Sequence, residues 1–227
     1  MQTRHGFHEQ LRDVRTNVLH LAALAREAVT AATEALLAGE TGTVDDVLRA
    51  DAEIDDLVAH LEGQCFEMMA RQQPMAADLR TLVAVLRVVH ELELTGDLMT
   101  AIAGATGRLR VITLNPRLRG ILARMGAQVS EQLRLAAEAF EEGDIAAVER
   151  LERMDDEMTE MSRELFSVLF ALGASEPGAI RRAVDLALVA RFFQRAADHA
   201  VNIGGRVRYM VMGDLPIPHP VRDVVGN

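Results

Sequence analysis

Lysine is absent from the 227-residue chain; all 24 basic residues are arginine. That removes three enzyme classes at once, because the P-loop, the kinase strand and the pyridoxal Schiff base each need a lysine. Neither a Gly-x-Ser-x-Gly elbow, a Gly-x-Gly-x-x-Gly loop nor a His-Glu-x-x-His helix occurs. The single cysteine allows no intrachain disulfide. Tryptophan is missing and aromatics make up only 4%. No apolar run is long enough to span a bilayer; the best, Leu82 to Val89, is broken by Arg87. The N-terminus shows no signal-peptide core, so the expected location is the cytoplasm.

The residues that are present describe a globular protein. Hydrophobic residues account for 49% and charged residues for 26%, a mix that buries a core rather than staying disordered. The net charge of −10 argues against nucleic-acid binding, which needs a basic surface. Ala, Leu, Arg, Glu and Met dominate, all strong helix formers. Apolar residues recur with a 3.6-residue period and never alternate for long, so the chain reads as all-α.

The breaks are Gly39–Thr43, Gln72-Gln73-Pro74, Asn115-Pro116, Glu142-Gly143-Asp144, 173–177, and the proline-rich stretch after Met212. They divide the chain into six helices near 7–38, 44–71, 75–107, 116–142, 145–171 and 177–212. Pro74 suits a first helical turn, and Asn115-Pro116 suits an N-cap followed by N1. Residues 214–227, with three prolines, read as a mobile tail.

The sequence also repeats at an offset of about one hundred residues, which is a duplicated supersecondary unit. Asp51-Ala-Glu53-Ile54 returns as Asp155-Asp156-Glu157-Met158, Cys65-Phe66 as Leu169-Phe170, and Gly96-Asp97 as Ala197-Asp198. The expected architecture is two tandem three-helix bundles, residues 1–110 and 111–213, joined near Arg108–Arg119.

Four carboxylates occupy unexpected helical positions. Asp51 and Asp55 point within about 40° of each other, on the side of Val44, Val47, Leu48, Ile54 and Val58. Glu93 and Asp97 repeat the i, i+4 spacing beside Leu82, Leu86, Val89 and Gly96, facing away from Arg87 and Glu91. A charge on an apolar face needs a partner. Two such pairs on neighbouring helices would suit a hard or borderline cation such as iron, manganese, zinc or magnesium; arginines or water at a bundle end would also serve. In the second repeat Asp155 and Asp198 persist, Thr159 and Gln194 replace the other two acids, and His199 and Asn202 could add neutral ligands. That second site is expected to be weaker or empty.

Other residues have ordinary readings. Asp45, Glu53, Asp56, Glu141 and Glu149 read as solvated charges, Cys65 as core, His90 as a polar contact of Glu93, and Met68, Met69, Met154, Met158 and Met161 as core filler. Arg108, Arg110, Arg117, Arg119 and Arg124 form a basic junction, either a solvated hinge or a place for phosphate or a partner.

Taken together, three motifs resemble one family. Residues 72–80, Gln-Gln-Pro-Met-Ala-Ala-Asp-Leu-Arg, resemble the helix-start motif of PhoU proteins; 93–97, Glu-Leu-Thr-Gly-Asp, resembles their Glu-x-x-Gly-Asp motif; and 194–203 resembles its second-repeat counterpart. The resemblance spans roughly residues 5–212. It implies a duplicated three-helix fold and a non-enzymatic adaptor. Such an adaptor links a phosphate ABC transporter, through its ATPase subunit, to a sensor histidine kinase and holds the phosphate-starvation response off. It also implies frequent homodimers, peripheral rather than inserted membrane association, and metal clusters at Glu/Asp-x-x-x-Asp motifs, here Asp51/Asp55 and Glu93/Asp97. A di-iron carboxylate enzyme or metal store built in a bundle is the alternative. That class uses Glu-x-x-His, and no histidine here has a glutamate three residues before it.

Overall fold

The computed structural model describes residues 2–39, 44–109, 115–172 and 178–214. Six helices occupy them: α1 Gln2–Ala38, α2 Val44–Gln72, α3 Ala77–Leu109, α4 Pro116–Glu142, α5 Ile145–Leu172 and α6 Ala179–Met212. The all-α expectation holds, and each predicted helix is found within a few residues of its predicted bounds. Residues 215–227, Arg110 and the segment 173–177 lie outside the described residues. Among the described residues no helix is long and apolar enough to cross a membrane.

Local chemistry explains most boundaries. The Asn115 side chain accepts a 2.8 Å hydrogen bond from the Arg117 backbone N–H, with Pro116 at the first helical position, where its missing donor costs nothing. Gly143, at φ 69°, stops α4 in the left-handed region that disfavours other residues. Pro74 behaves differently from the expectation. It sits in the connector, and α3 begins three residues later at Ala77. Proline disfavours helix at the residue before it; Gln73 is at φ 44° and Ala76 at φ 50°, so two left-handed residues turn the corner around Pro74 and Met75.

Helices α1, α2 and α3 touch one another, as do α4, α5 and α6, so both three-helix repeats are present. They are more than tandem beads. α3 lies along α6 and α1 lies along α4, so α1, α3, α6 and α4 close a ring with α2 and α5 on its flanks. Contacts fix the direction. Arg108 Nε donates to Asp185 Oδ1 at 3.0 Å at one end of the α3–α6 seam, and Gly213 lies against Arg80 at the other, so the two helices run antiparallel. Across the α1–α4 seam, Arg15 donates to the backbone oxygens of Phe140 and Glu141 at 3.1 and 2.7 Å, and Arg26 donates to that of Ser130. One continuous apolar core draws on all six helices. Cys65 is buried in it, which pushes its thiol pKa up to about 11. Met68 and Met158 are fully in the core, with Met69, Met154 and Met161 packed against it.

Candidate acidic site at the second and third helices of each repeat

Asp51 sits on α2 opposite Gly96 of α3. Gly96 permits a close approach: a Cβ there would stand 3.0 Å from Asp51 Oδ1 and 3.1 Å from Ile54 Cδ1. Asp51 Oδ1 is buried without a hydrogen-bond partner. Loss of water, then the neighbouring Asp55 charge, raise the Asp51 pKa; Asp97 adds to the rise. The nearby Thr100 hydroxyl pulls the other way, although its own oxygen is also buried without a hydrogen bond of good geometry. The fold therefore brings together three of the four predicted carboxylates, Asp51, Asp55 and Asp97. Asp55 and Asp97 are exposed and Glu93 is half-buried. Glu93 turns instead to His90, whose Nδ1 lies 3.2 Å from Glu93 Oε2. Among the described residues, no three His, Cys, Asp or Glu side chains converge in their present rotamers as a metal site.

Leu48 differs from its predicted place. It is 47% exposed, because Leu48 lies with Asp51 and Asp55 at the edge of the α2 apolar stripe, whose centre, Val47, Ile54, Val58, Leu61, Cys65 and Met68, is buried. The predicted solvated acids Asp45, Glu53, Asp56, Glu141 and Glu149 are all exposed.

The second repeat keeps one carboxylate pair. Crowding by protein raises the Asp198 pKa to about 6 even though the residue remains exposed; the Asp155 charge adds to the rise, against the pull of Arg191, His199 and Arg195. Asp155 and Asp198 thus repeat the Asp51–Asp97 relation. His199 and Asn202, the two neutral candidates, face elsewhere. His199 Nδ1 lies 2.6 Å from Glu91 Oε2, and Asn202 Nδ2 donates to the same oxygen at 3.1 Å.

Sequence reasoning missed the Glu91 cluster. It grouped Glu91 with Arg87 on the side away from the acidic pair, yet Glu91 is only 8% exposed because α6 covers that side. Its burial disfavours the charge. The hydrogen bonds from His199 and Asn202, with the His199 and Arg206 charges, more than compensate and hold the carboxyl below its usual range. A signal was available: His199 and Asn202 occupy the repeat positions of Leu98 and Ala101, so two polar side chains stand where the first repeat needs none.

Three arginines of the basic junction are held in ion pairs. Arg117 and Arg124 both reach Glu164, at 3.3 and 2.7 Å, and Arg108 holds Asp185. Arg110 lies outside the described residues.

A family model described as the PhoU domain matches residues 18–106 and again 122–207. The chain belongs to the PhoU family. The two matches fall on the two three-helix repeats, so the PhoU domain occurs here twice. A protein of Mycobacterium tuberculosis named "Phosphate-specific transport system accessory protein PhoU homolog 2" is 31% identical over 94% of this chain and 100% of its own length. A Pseudomonas aeruginosa homolog of the same description is 28% identical over 91% of this chain and 86% of its own. The crystal structure of PhoU from Pseudomonas aeruginosa superposes with TM-score 0.85 at 27% identity, covering 92% of this chain and 100% of that one. Streptococcus pneumoniae PhoU, at 22% identity, TM-score 0.83 and coverage of 92% and 98%, shares the fold.

Proposed function

We propose that this PhoU-family chain is a non-enzymatic, cytoplasmic regulator of phosphate homeostasis that restrains phosphate uptake and the phosphate-starvation response. The full-length likeness carries the reading. The chain aligns over the whole of a relative named as a phosphate-specific transport accessory protein, and both repeats are preserved as folded units. As an adaptor it binds the ATPase subunit of a phosphate ABC transporter and a sensor histidine kinase, meeting the membrane only through them. Deletion tests this. Loss of the gene should leave phosphate-responsive genes expressed, and uptake high, in phosphate-rich medium; unchanged expression and uptake would refute it.

Metal at the first-repeat carboxylates is part of the proposal. Two features suit a cation there: the orphaned, buried Asp51 Oδ1 and the like charges of Asp55 and Asp97 around it. Asp51, Asp55 and Asp97 would hold it, and Glu93 would join after leaving His90. A bound cation would supply the missing counter-charge. The second repeat, with only Asp155 and Asp198, would bind more weakly. Glu93→Gln with Asp97→Asn should remove most transition metal from the purified protein by elemental analysis; wild-type content in that variant would refute the first-repeat assignment.

A further inference from the structure

Two arginines on the α3–α6 seam have donors that nothing in the fold satisfies. Arg80 on α3 and Arg206 on α6 are half-buried, and the Nε of each is buried without a hydrogen bond. A buried donor left unpaired is costly and rare in a native fold, and a bound ion is one of the few things that explain it. The register of the seam places a third arginine beside them. Arg80 lies against Gly213. Eleven residues along α3, Glu91 accepts from Asn202, which is eleven residues back along α6. At twenty-eight residues, Arg108 holds Asp185 in the same way. At seven residues this constant register sets Arg87 opposite Arg206. Arg87 is exposed and shares the side of α3 that carries Arg80 and Glu91 to within about 40°. Among the described residues α3 is touched by α1, α2 and α6, and α6 by α3, α4 and α5, so no helix lies across the outer side of the seam.

Carboxylates do not neutralise this group, although acids outnumber arginines by 34 to 24 in the chain. Glu91 is already held by His199 and Asn202, and Asp214 is exposed beyond Gly213. Among the described residues neither of these, nor any other acid, forms an ion pair with Arg80, Arg87 or Arg206, whereas the neighbouring Arg208 pairs with Glu152. We propose that Arg87 and Arg206, with Arg80 about 10 Å further along the seam, bind a phosphate oxyanion. A guanidinium fork offers two parallel N–H donors that match the oxygens of a phosphate, and the buried Arg206 Nε–H would gain the acceptor it lacks. Three guanidiniums outweigh Glu91 and Asp214 there, so the seam is a local attractor for anions on a chain of net charge −10. One phosphate engages Arg87 and Arg206; a chain of phosphates can also extend to Arg80. The site goes beyond the adaptor reading and does not rest on it, because it belongs to the purified chain alone.

Isothermal titration calorimetry of the purified protein at low ionic strength, with orthophosphate and with tripolyphosphate, tests the site. Two guanidinium clamps predict saturable binding with a Kd of about 1 mM or below. Tyr209 gives a second readout. It is the one tyrosine of a chain without tryptophan and lies about one helical turn from both Arg206 and Gly213, so its emission should change in step with the heat. Arg87→Gln, at an exposed position, should weaken binding at least about tenfold, and adding Arg206→Gln should abolish it, with circular dichroism melting to verify folding. Arg12→Gln with Arg153→Gln removes the same two charges from exposed positions elsewhere and should leave the affinity within about twofold. Tripolyphosphate that binds about tenfold tighter than orthophosphate and loses that gain in Arg80→Gln identifies a phosphate chain as the ligand. Orthophosphate that binds as well as tripolyphosphate, with Arg80→Gln indifferent, identifies free phosphate. No saturable binding of either probe up to about 10 mM, affinity unchanged by Arg87→Gln, or equal losses in the two double variants would each overturn the proposal.

Discussion

Replacing Glu91 by alanine should destabilise the whole molecule, because Glu91 closes the seam between the repeats. Its Oε2 accepts from both His199 Nδ1 and Asn202 Nδ2, at 2.6 and 3.1 Å, and the cluster is largely buried. Removing the carboxylate strands one buried donor, on His199, and one half-buried donor, on Asn202, beside Arg206. Each stranded donor costs about 1–3 kcal/mol, and breaking a buried charged pair by deleting one partner costs about 3–5 kcal/mol. Against the roughly 5–15 kcal/mol that holds a native fold together, that is a loss of a third or more. Urea denaturation followed by circular dichroism measures it, and both repeats should unfold in one transition shifted to lower urea. The repeat geometry supplies a compensating variant. The positions equivalent to Glu91, His199 and Asn202 are Phe192, Leu98 and Ala101, an apolar trio. Glu91→Leu with His199→Leu and Asn202→Ala should therefore recover stability to within about 1–2 kcal/mol of wild type, since an apolar replacement of a buried polar cluster is often neutral. The pH dependence has a definite sign. The Glu91 carboxyl is held below its ordinary 4.5, so its contribution is complete above that value and disappears as the pH falls through and below it. A Glu91→Ala loss under about 1 kcal/mol would refute the reasoning, as would separate melting of the two repeats.

Three further outcomes follow from the same structure. Gly96→Ala should be worse than Gly63→Ala by about 1–3 kcal/mol in urea titrations, because the Gly96 Cβ meets Asp51 and Ile54 while that of Gly63 meets nothing within 4 Å; equal effects would contradict the close α2–α3 approach. Asp198→Asn should raise the melting temperature above pH 7 and change it little near pH 4: the folded carboxyl has a pKa of about 6 against an ordinary 3.8, so its ionisation weakens the fold as pH rises through that interval. The gain should be small because solvent screens an exposed group, and a loss at high pH would refute it. Cys65 should resist thiol reagents at pH 8 until the protein unfolds, since it is buried with its pKa at about 11; rapid labelling of the native protein would refute its placement.

The legible parts of the fold were those that local chemistry decides. Asn115-Pro116 and Gly143 specify helix ends through caps and a left-handed residue, and the core stripes of α2 and α4 follow from period alone. Repetition made the duplicated unit visible, and the spacing of Asp51, Asp55 and Asp97 anticipated that they would meet. What stayed hidden depends on which helices become neighbours across the repeats. Glu91 occupies a helix side that an isolated three-helix bundle would leave wet, and only the α3–α6 seam buries it. His199 and Asn202 looked like ligands for the same reason: their partner comes from the other repeat, 108 and 111 residues away. Pro74 was misplaced because a corner of two left-handed non-glycine residues has no sequence signature as clear as a glycine turn.

The regulatory reading is tested most directly by capturing the tagged protein from its own cells, membranes included, at high and at low phosphate, and identifying the bound proteins by mass spectrometry. The adaptor function predicts recovery of a phosphate-transporter ATPase subunit or a sensor kinase in amounts that change with phosphate. Recovery of neither at both phosphate levels, from cells that contain them, would contradict it and leave the PhoU fold serving some other purpose in this chain.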